Sequence, residues 1–372
     1  FRLLQLDFGM VVASDFCKYQ SRKGRSAVHC ISVARNFRAM RMPGLKFGAL
    51  RQIVPGNVSP VRHILALAVL AALGAAAFAL PWAEVWNALQ ATQLTYLMLA
   101  VALTLAVFPL WVWQWRMIVA PVKPAAWRMM CGVVALSVAA KATVSGMAGV
   151  SVGLLALKVR AGLSYSEAGS VISVDQFFAL ATKLAVMLLA VALLPLPTML
   201  HGTLLGLLAL GTGMLVLLVF ADRAGRWLGF LPLSGVTPLR AALGHLQRFL
   251  ADLGRVASRR VLAGGMALAF AKRALEVAAA FAVQMACGLG ADPVAPVLVV
   301  AAVSLTTLVP LTPANLGTHS AGVFGAYVLV GVPAELALAA GLLHHAVVLF
   351  SSMVLAVLGL GLSRAPHPSP AP

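Results

Sequence analysis

Seven or more apolar runs, several close to the ~20 residues that a helix needs to cross a bilayer, follow one another between residues 63 and 361. Such runs leave few choices of fold. Hydrocarbon offers backbone N–H and C=O groups no partner, so a spanning segment must be a helix or part of a closed barrel. No ten-residue alternation of apolar and polar positions is present, which excludes the barrel. Charged residues make up 10% of the 372, against about 25% in soluble domains. The chain reads as an all-α polytopic membrane protein.

Full spans are expected over 63–80, 94–115, 168–194, 200–220, 261–286 and 336–361, six in all. Two further apolar regions, 129–160 and 294–332, are broken by glycine, proline and polar residues. The sharpest break is PLTPANLG at 310–317. Backbone broken at membrane depth lines a protein-enclosed or wet cavity, so function is sought there first.

The formal charge of +18 invites a nucleic-acid partner, but the basic residues fall between the apolar runs. Loop 81–93 holds no Lys or Arg. Loop 116–128 holds Arg116, Lys123 and Arg128, and loop 221–260 holds Arg223, Arg226, Arg240, Arg248, Arg255, Arg259 and Arg260. By the positive-inside rule these basic loops and both termini are cytoplasmic. Membrane lipids, not nucleic acid, are the expected partner. Within the long loop, 236–256 has near-helical apolar spacing with Arg on the other face. It reads either as an amphipathic helix at the inner interface or as a solvated linker helix.

Parity then constrains the broken regions. A single crossing of 129–157 would carry Lys158 and Arg160 outside, against the rule. Entry and return keeps them inside beside Arg128. The same argument makes 294–332 enter and return from the outer side. Domain boundaries follow: a membrane domain over 42–361, with repeat units at 129–194 and 294–361, then a Pro-rich tail at 362–372. Residues 1–41 are Arg-rich, aperiodic and begin at Phe1. They read as upstream sequence before a start at Met40 or Met42, as a targeting segment, or as a polybasic surface tail.

The two broken regions share spacings. Gly149 is followed by Gly162-Leu163-Ser164, Ala168 and Asp175-Gln176; Gly317 is followed by Gly331-Val332-Pro333, Ala337 and His344-His345. The last two intervals, six and seven residues, are the same in both. With opposite sides of entry this is an inverted repeat, and interrupted segments at matching positions of two halves point to a midplane site.

Candidate cavity residues are therefore Gly149, Asp175, Gln176, Thr312, Pro313, Asn315, Gly317, His319 and His344. Thr312 and Asn315 read either as caps of a half-helix, whose N-terminal N–H groups favour an anionic group, or as parts of a tight turn buried by its neighbours. Lys141, Lys183, Lys272, Arg273, Glu276 and His345 are also ionisable at membrane depth, where charge is expensive and marks function. Lys272 and Glu276, four apart, are expected to pair, which leaves Arg273 as a candidate for an anion. Lys158 and Arg160 are candidates for guiding phosphate headgroups. No HExxH, GxSxG or P-loop is present, so no enzymatic activity and no cofactor is expected. Adjacent His344 and His345 point about 100° apart on a helix, and Cys17, Cys30, Cys131 and Cys287 lack ligand spacing, so no metal site is expected.

PLTPANLG followed by GVPAELALAAGLLHH resembles the C-terminal signature of the lysylphosphatidylglycerol synthase transmembrane-region family, the flippase-like membrane domains. AGLSYSEAGSVISVDQFFAL resembles the first-half signature, and Trp115-Arg116 at the end of the second helix fits as well. The resemblance spans about residues 60–361 and does not include the family's aminoacyl-transferase part. Charge is thinner than the family pattern at Ser145, Val150, Gly153, Asp175-Gln176 and His319-Ser320. The resemblance implies an inner-membrane protein that binds or moves an amphiphilic lipid, anionic or isoprenoid in type. Two other readings stand beside it. One is an ion-coupled small-solute transporter using Asp175 and His344; the other is a non-transporting partner of a lipid-modifying enzyme.

Overall fold

The apolar run that opens at Leu94 forms one uninterrupted helix, and a second long helix lies antiparallel against it. The computed structural model describes residues 82–193, 199–229, 237–307 and 313–364, and every regular element among them is helical. The first is a short helix, α1 (Trp82–Gln90), where the sequence suggested a loop. It buries Val85, packs on the last helix and leaves Trp82 and Trp86 exposed, as aromatic side chains at a membrane interface do. Nine residues are too few to show as an apolar run.

Helix α2 (Leu94–Val119) pairs with α8 (Arg259–Ala286). The Gln93 N–H donates to the Ala286 carbonyl at 2.9 Å. Near the opposite end Gln114 Nε2 donates to the Gly265 carbonyl at 3.0 Å. Gly265 admits the helix that carries Phe178 as well, since a Cβ there would stand 2.3 Å from the Phe178 ring. Small residues permit such approach where lipid supplies no driving force for association.

Both broken regions fold back on themselves. Helix α3 (Trp127–Thr143) returns through α4 (Gly146–Ala156) and a wide turn, Leu157–Ala161. The Ser137 hydroxyl donates to the Gly149 carbonyl at 2.8 Å between the arms. Helix α9 (Val294–Thr306) returns through a 3-10 turn, Pro313–Asn315, and α10 (Thr318–Leu329). A long apolar helix follows each hairpin: α5 (Tyr165–Leu193) and α11 (Ala334–Arg364). Gly162 and Gly331 make the two connections with φ of 69° and 84°, conformations glycine adopts without steric cost. In both, the next residue's N–H reaches back into the preceding helix: Leu163 to Leu157 and Val332 to Tyr327. Ala168 and Ala337 then open their helices by bonding to Ser164 and Pro333.

The remaining helices are α6 (Met199–Gly229), which runs past the expected end at 220, and α7 (Thr237–Val256). The amphipathic segment expected at 236–256 is thus helical. Its apolar side rests on α5 and α6, with Leu250, Leu253 and Val256 buried and Ser166 Oγ donating to Asp252 at 2.5 Å. Among the described residues, Leu94–Val119, Tyr165–Leu193 and Ala334–Ser363 are long and apolar enough to cross a bilayer. The expected helix at 63–80, the segment 1–41 and tail residues 365–372 lie outside the described residues.

Packing between the units is reciprocal. Helix α11 lies along α3 of the first hairpin, while α5 lies along α9 of the second. Basic residues gather at one end: Arg116 bonds to the Ala125 carbonyl, Arg160 to Ser363, and Arg255 to Asp252. The first hairpin opens from that end and the second from the other, where Gln284 Nε2 donates to the Gly290 and Asp292 carbonyls.

Candidate functional site

The hairpins meet tip to tip. The Ala314 N–H donates to the Val144 carbonyl at 3.0 Å, joining the second tip to the first. Ala314 and Asn315 both have left-handed backbone, with φ of 55° and 54°, a region that sterics make costly for residues other than glycine. Ala314 is held from both sides, because its carbonyl accepts from His345 Nε2 at 3.3 Å. His345 stacks on His319 at 4.7 Å between centroids. His319 Nε2 and His344 Nδ1 share one proton across 2.9 Å.

Both return helices begin at this junction, so their N-terminal N–H groups converge there and favour negative charge. Ser145 caps α4, its hydroxyl accepting from the Ala148 N–H at 3.2 Å. At α10 the cap is Gly317, with no side-chain bond to the helix. The expected capping by Asn315 is therefore corrected: among the described residues its Oδ1 is buried without a partner. Thr312 lies outside the described residues, as does the Pro313 side chain.

Gly149 and Gly317, matched by spacing, do different work. Gly149 sits one turn inside α4, where a Cβ would stand 2.9 Å from the Ser137 carbonyl oxygen. Its counterpart in the second hairpin is Gly322, whose Cβ would meet Thr306 Oγ1 at 2.6 Å and the Val303 backbone at 3.2 Å. Asp175 and His344 do share a depth, each ten residues into its helix and buried. Gln176 is exposed, its amide 3.4 Å from Asp175.

The ion pair on α8 also differs from expectation. Arg273 pairs with Glu276 at 2.5 Å, three residues apart, and Lys272 instead donates to the Gln114 side chain on α2. Lys272 is drawn off by the α2–α8 register, so its four-residue partner is left to Arg273. Lys272 also stands 5.2 Å from the Trp111 ring centre, and Lys141, near the first tip, stands 5.7 Å from the same ring. Lys183 on α5 lies within electrostatic reach of Lys141, Arg273 and Glu276, and Asp175 within reach of Lys272. Lys141, Lys183 and Lys272, marked in the sequence as ionisable at membrane depth, are thus joined by Trp111 and Gln114, which the sequence did not single out. The signal available was their shared membrane depth.

Lys158 and Arg160 stand apart from this cluster. They occupy the wide turn after α4, roughly 18 Å along the helix from its start at a rise of 1.5 Å per residue. Lys158 covers the Tyr165 ring at 3.3 Å, and Arg160 bonds to Ser363 at 3.2 Å.

The Lysylphosphatidylglycerol synthase TM region family matches residues 64–356. The chain belongs to that family. No curated protein and no solved structure matches it. Membership makes this a multi-pass membrane protein related to lipid handling, and the matched residues include both hairpins and the helices that follow them.

Proposed function

We propose that the protein binds the polar head of an amphiphilic lipid where the hairpin tips meet and passes it between leaflets, as a flippase-like carrier. The bond from Ala314 to Val144 carries this reading. Among the described residues, two hairpins opening from opposite ends touch through one backbone bond, so separating them exposes the junction to one side or the other. Interrupted helices meeting at mid-depth are the arrangement in which transporters place substrate sites. The shared spacings and the reciprocal packing of α5 and α11 support an inverted relation between the halves. The basic end faces the cytoplasm of an inner membrane by the positive-inside rule, and the protein acts by binding rather than by covalent chemistry.

The test is leaflet exchange in proteoliposomes holding the full chain, with fluorescent lipids of several headgroups. Exchange above that of empty liposomes is expected for at least one head. Ala314→Pro, which removes the bridging donor and forbids a positive φ, is expected to change the rate. No movement above background for any headgroup ends the proposal.

A further inference from the structure

The charges around Trp111 do not balance. Lys141 and Lys272 face the Trp111 ring from α3 and α8 at 5.7 and 5.2 Å, and Arg273 follows Lys272 and pairs with Glu276. Lys183 on α5 lies within electrostatic reach of Lys141, Arg273 and Glu276, as Lys272 does of Asp175. Among the described residues, four cations against two carboxylates leave two positive charges without a counter-charge at a depth where uncompensated charge is expensive. Glu276 is taken by Arg273. Lys272 is held by a neutral amide and an aromatic face. Lys183 has neither ion pair nor hydrogen bond among the described residues. The buried Trp111 Nε1, a donor between two lysines, also lacks an acceptor.

Beside this cluster runs an apolar groove of about 490 Å³ between α5, α8 and α9, lined by Val186, Leu189, Phe270, Val277, Phe281 and Val297 among others. Arg273 is the charged residue in its wall. One molecule satisfies both features: an acidic head for the surplus charge and a hydrocarbon tail for the groove.

We infer that Lys141, Lys183, Lys272 and Arg273 form the headgroup site for a lipid with a phosphomonoester or diphosphate head, its tail lying in the α5–α8–α9 groove. The inference rests on the lipid-handling reading and narrows it. A head with two or more negative charges matches the two unbalanced cations, and the Trp111 N–H and the α10 N-terminus offer further donors to phosphate oxygens. A lysylated head would add positive charge to a site already in surplus. The head taken here is therefore opposite in sign to the one in the family's name.

The experiment measures binding to the full chain in phosphatidylcholine nanodiscs. Short-chain phosphatidic acid, an alkyl diphosphate, lysylphosphatidylglycerol, phosphatidylethanolamine, inorganic phosphate and pyrophosphate are titrated separately. Phosphatidic acid and the alkyl diphosphate are expected to bind about ten-fold or more tighter than the zwitterionic and lysylated lipids, as charge-assisted bonds allow. Lys141→Gln with Lys183→Gln should remove about ten-fold of that affinity and flatten the preference. Lys183→Arg, which keeps the charge, should retain it. Val277→Trp, which fills the groove, should weaken the lipids and leave any binding of the free anions unchanged. Arg248→Gln on α7 should alter nothing. Thermal unfolding of each variant shows whether it is folded.

Equal or tighter binding of lysylphosphatidylglycerol, or no loss in the folded double variant, overturns the inference. Binding of free phosphate as tight as that of phosphatidic acid also overturns it, by showing a soluble-anion site. Zwitterionic lipid exchange that survives the double variant sinks the headgroup assignment and leaves the carrier reading standing. Selective acidic-lipid binding without leaflet exchange does the reverse.

Discussion

The first hairpin turns in two residues, between Thr143 and Gly146, whereas the second takes eleven, between Thr306 and Thr318. The short turn is closed by ordinary means: Ser145 caps the returning helix and Ser137 bonds the arms together. The long one ends in two left-handed non-glycine residues and an N-cap without side-chain help. Among the described residues, Thr318 Oγ1 donates to the Asn315 carbonyl within it, and Val144 of the first tip and His345 of α11 hold Ala314 from outside. Among the described residues, both bonds that Ala314 makes reach outside its own hairpin, whereas Ser137 and Ser145 bond within theirs. The first brings a cation to the junction and the second brings the His319 imidazole and strained backbone, so in a moving carrier the second is the element expected to shift.

That comparison is broken most sharply at the glycines that close the arms. A Cβ at Gly149 meets backbone, the Ser137 oxygen at 2.9 Å, and backbone cannot step aside. At Gly322 the contact under 3.0 Å is the Thr306 hydroxyl, which can rotate, with backbone at 3.2 Å. Gly149→Val is therefore expected to lower stability by about 3 kcal/mol, the upper range for overpacking, and Gly322→Val by about half of that. Thermal or denaturant unfolding in detergent measures both. Equal losses would mean that the arms are equally tight.

Much of this pair was legible in the residues. Pro310 and Gly317 in an apolar run announce a break. The shared Gly–Ala–polar spacing places Gly162 with Gly331 and Ala168 with Ala337; both glycines have positive φ and both alanines bond four residues back, although the turns themselves differ in width. The site was legible only in part, because its contacts depend on register between helices far apart in sequence. Lys272 reaches Gln114 through the α2–α8 alignment, which no spacing along α8 encodes. Helical arithmetic on α8 alone allowed Glu276 to pair with Lys272 or Arg273 and favoured the wrong one. Gly149 and Gly317 were matched because both are glycines near a break, yet one is there for lack of a side chain and the other ends a turn.

A smaller change separates the tips by sign. Ala314 has φ of 55°, which costs a residue with a Cβ about 1–2 kcal/mol. Ala314→Gly is expected to raise stability by about 1 kcal/mol after the added freedom of the unfolded chain is counted. Ala148, in the first turn of α4, has helical backbone, and Ala148→Gly should cost about 1 kcal/mol. Unfolding midpoints that move in the same direction would remove the claim that only the second tip is strained.

The smallest effects decide which hairpin moves. Ser137→Ala removes a buried 2.8 Å bond within the first hairpin and is expected to cost about 1 kcal/mol. His345→Phe keeps a ring against His319 but loses the longer 3.3 Å bond to the Ala314 carbonyl, at a cost of about 0.5 kcal/mol. Their effects on leaflet exchange should run in the opposite order. The Ser137 bond joins two arms that stay together whatever the tips do, so its loss should leave the rate of exchange unchanged. The His345 bond ties the second tip to α11, and its loss should free that tip and alter the rate although stability hardly changes. A rate altered by Ser137→Ala and untouched by His345→Phe would place the movement in the first hairpin instead.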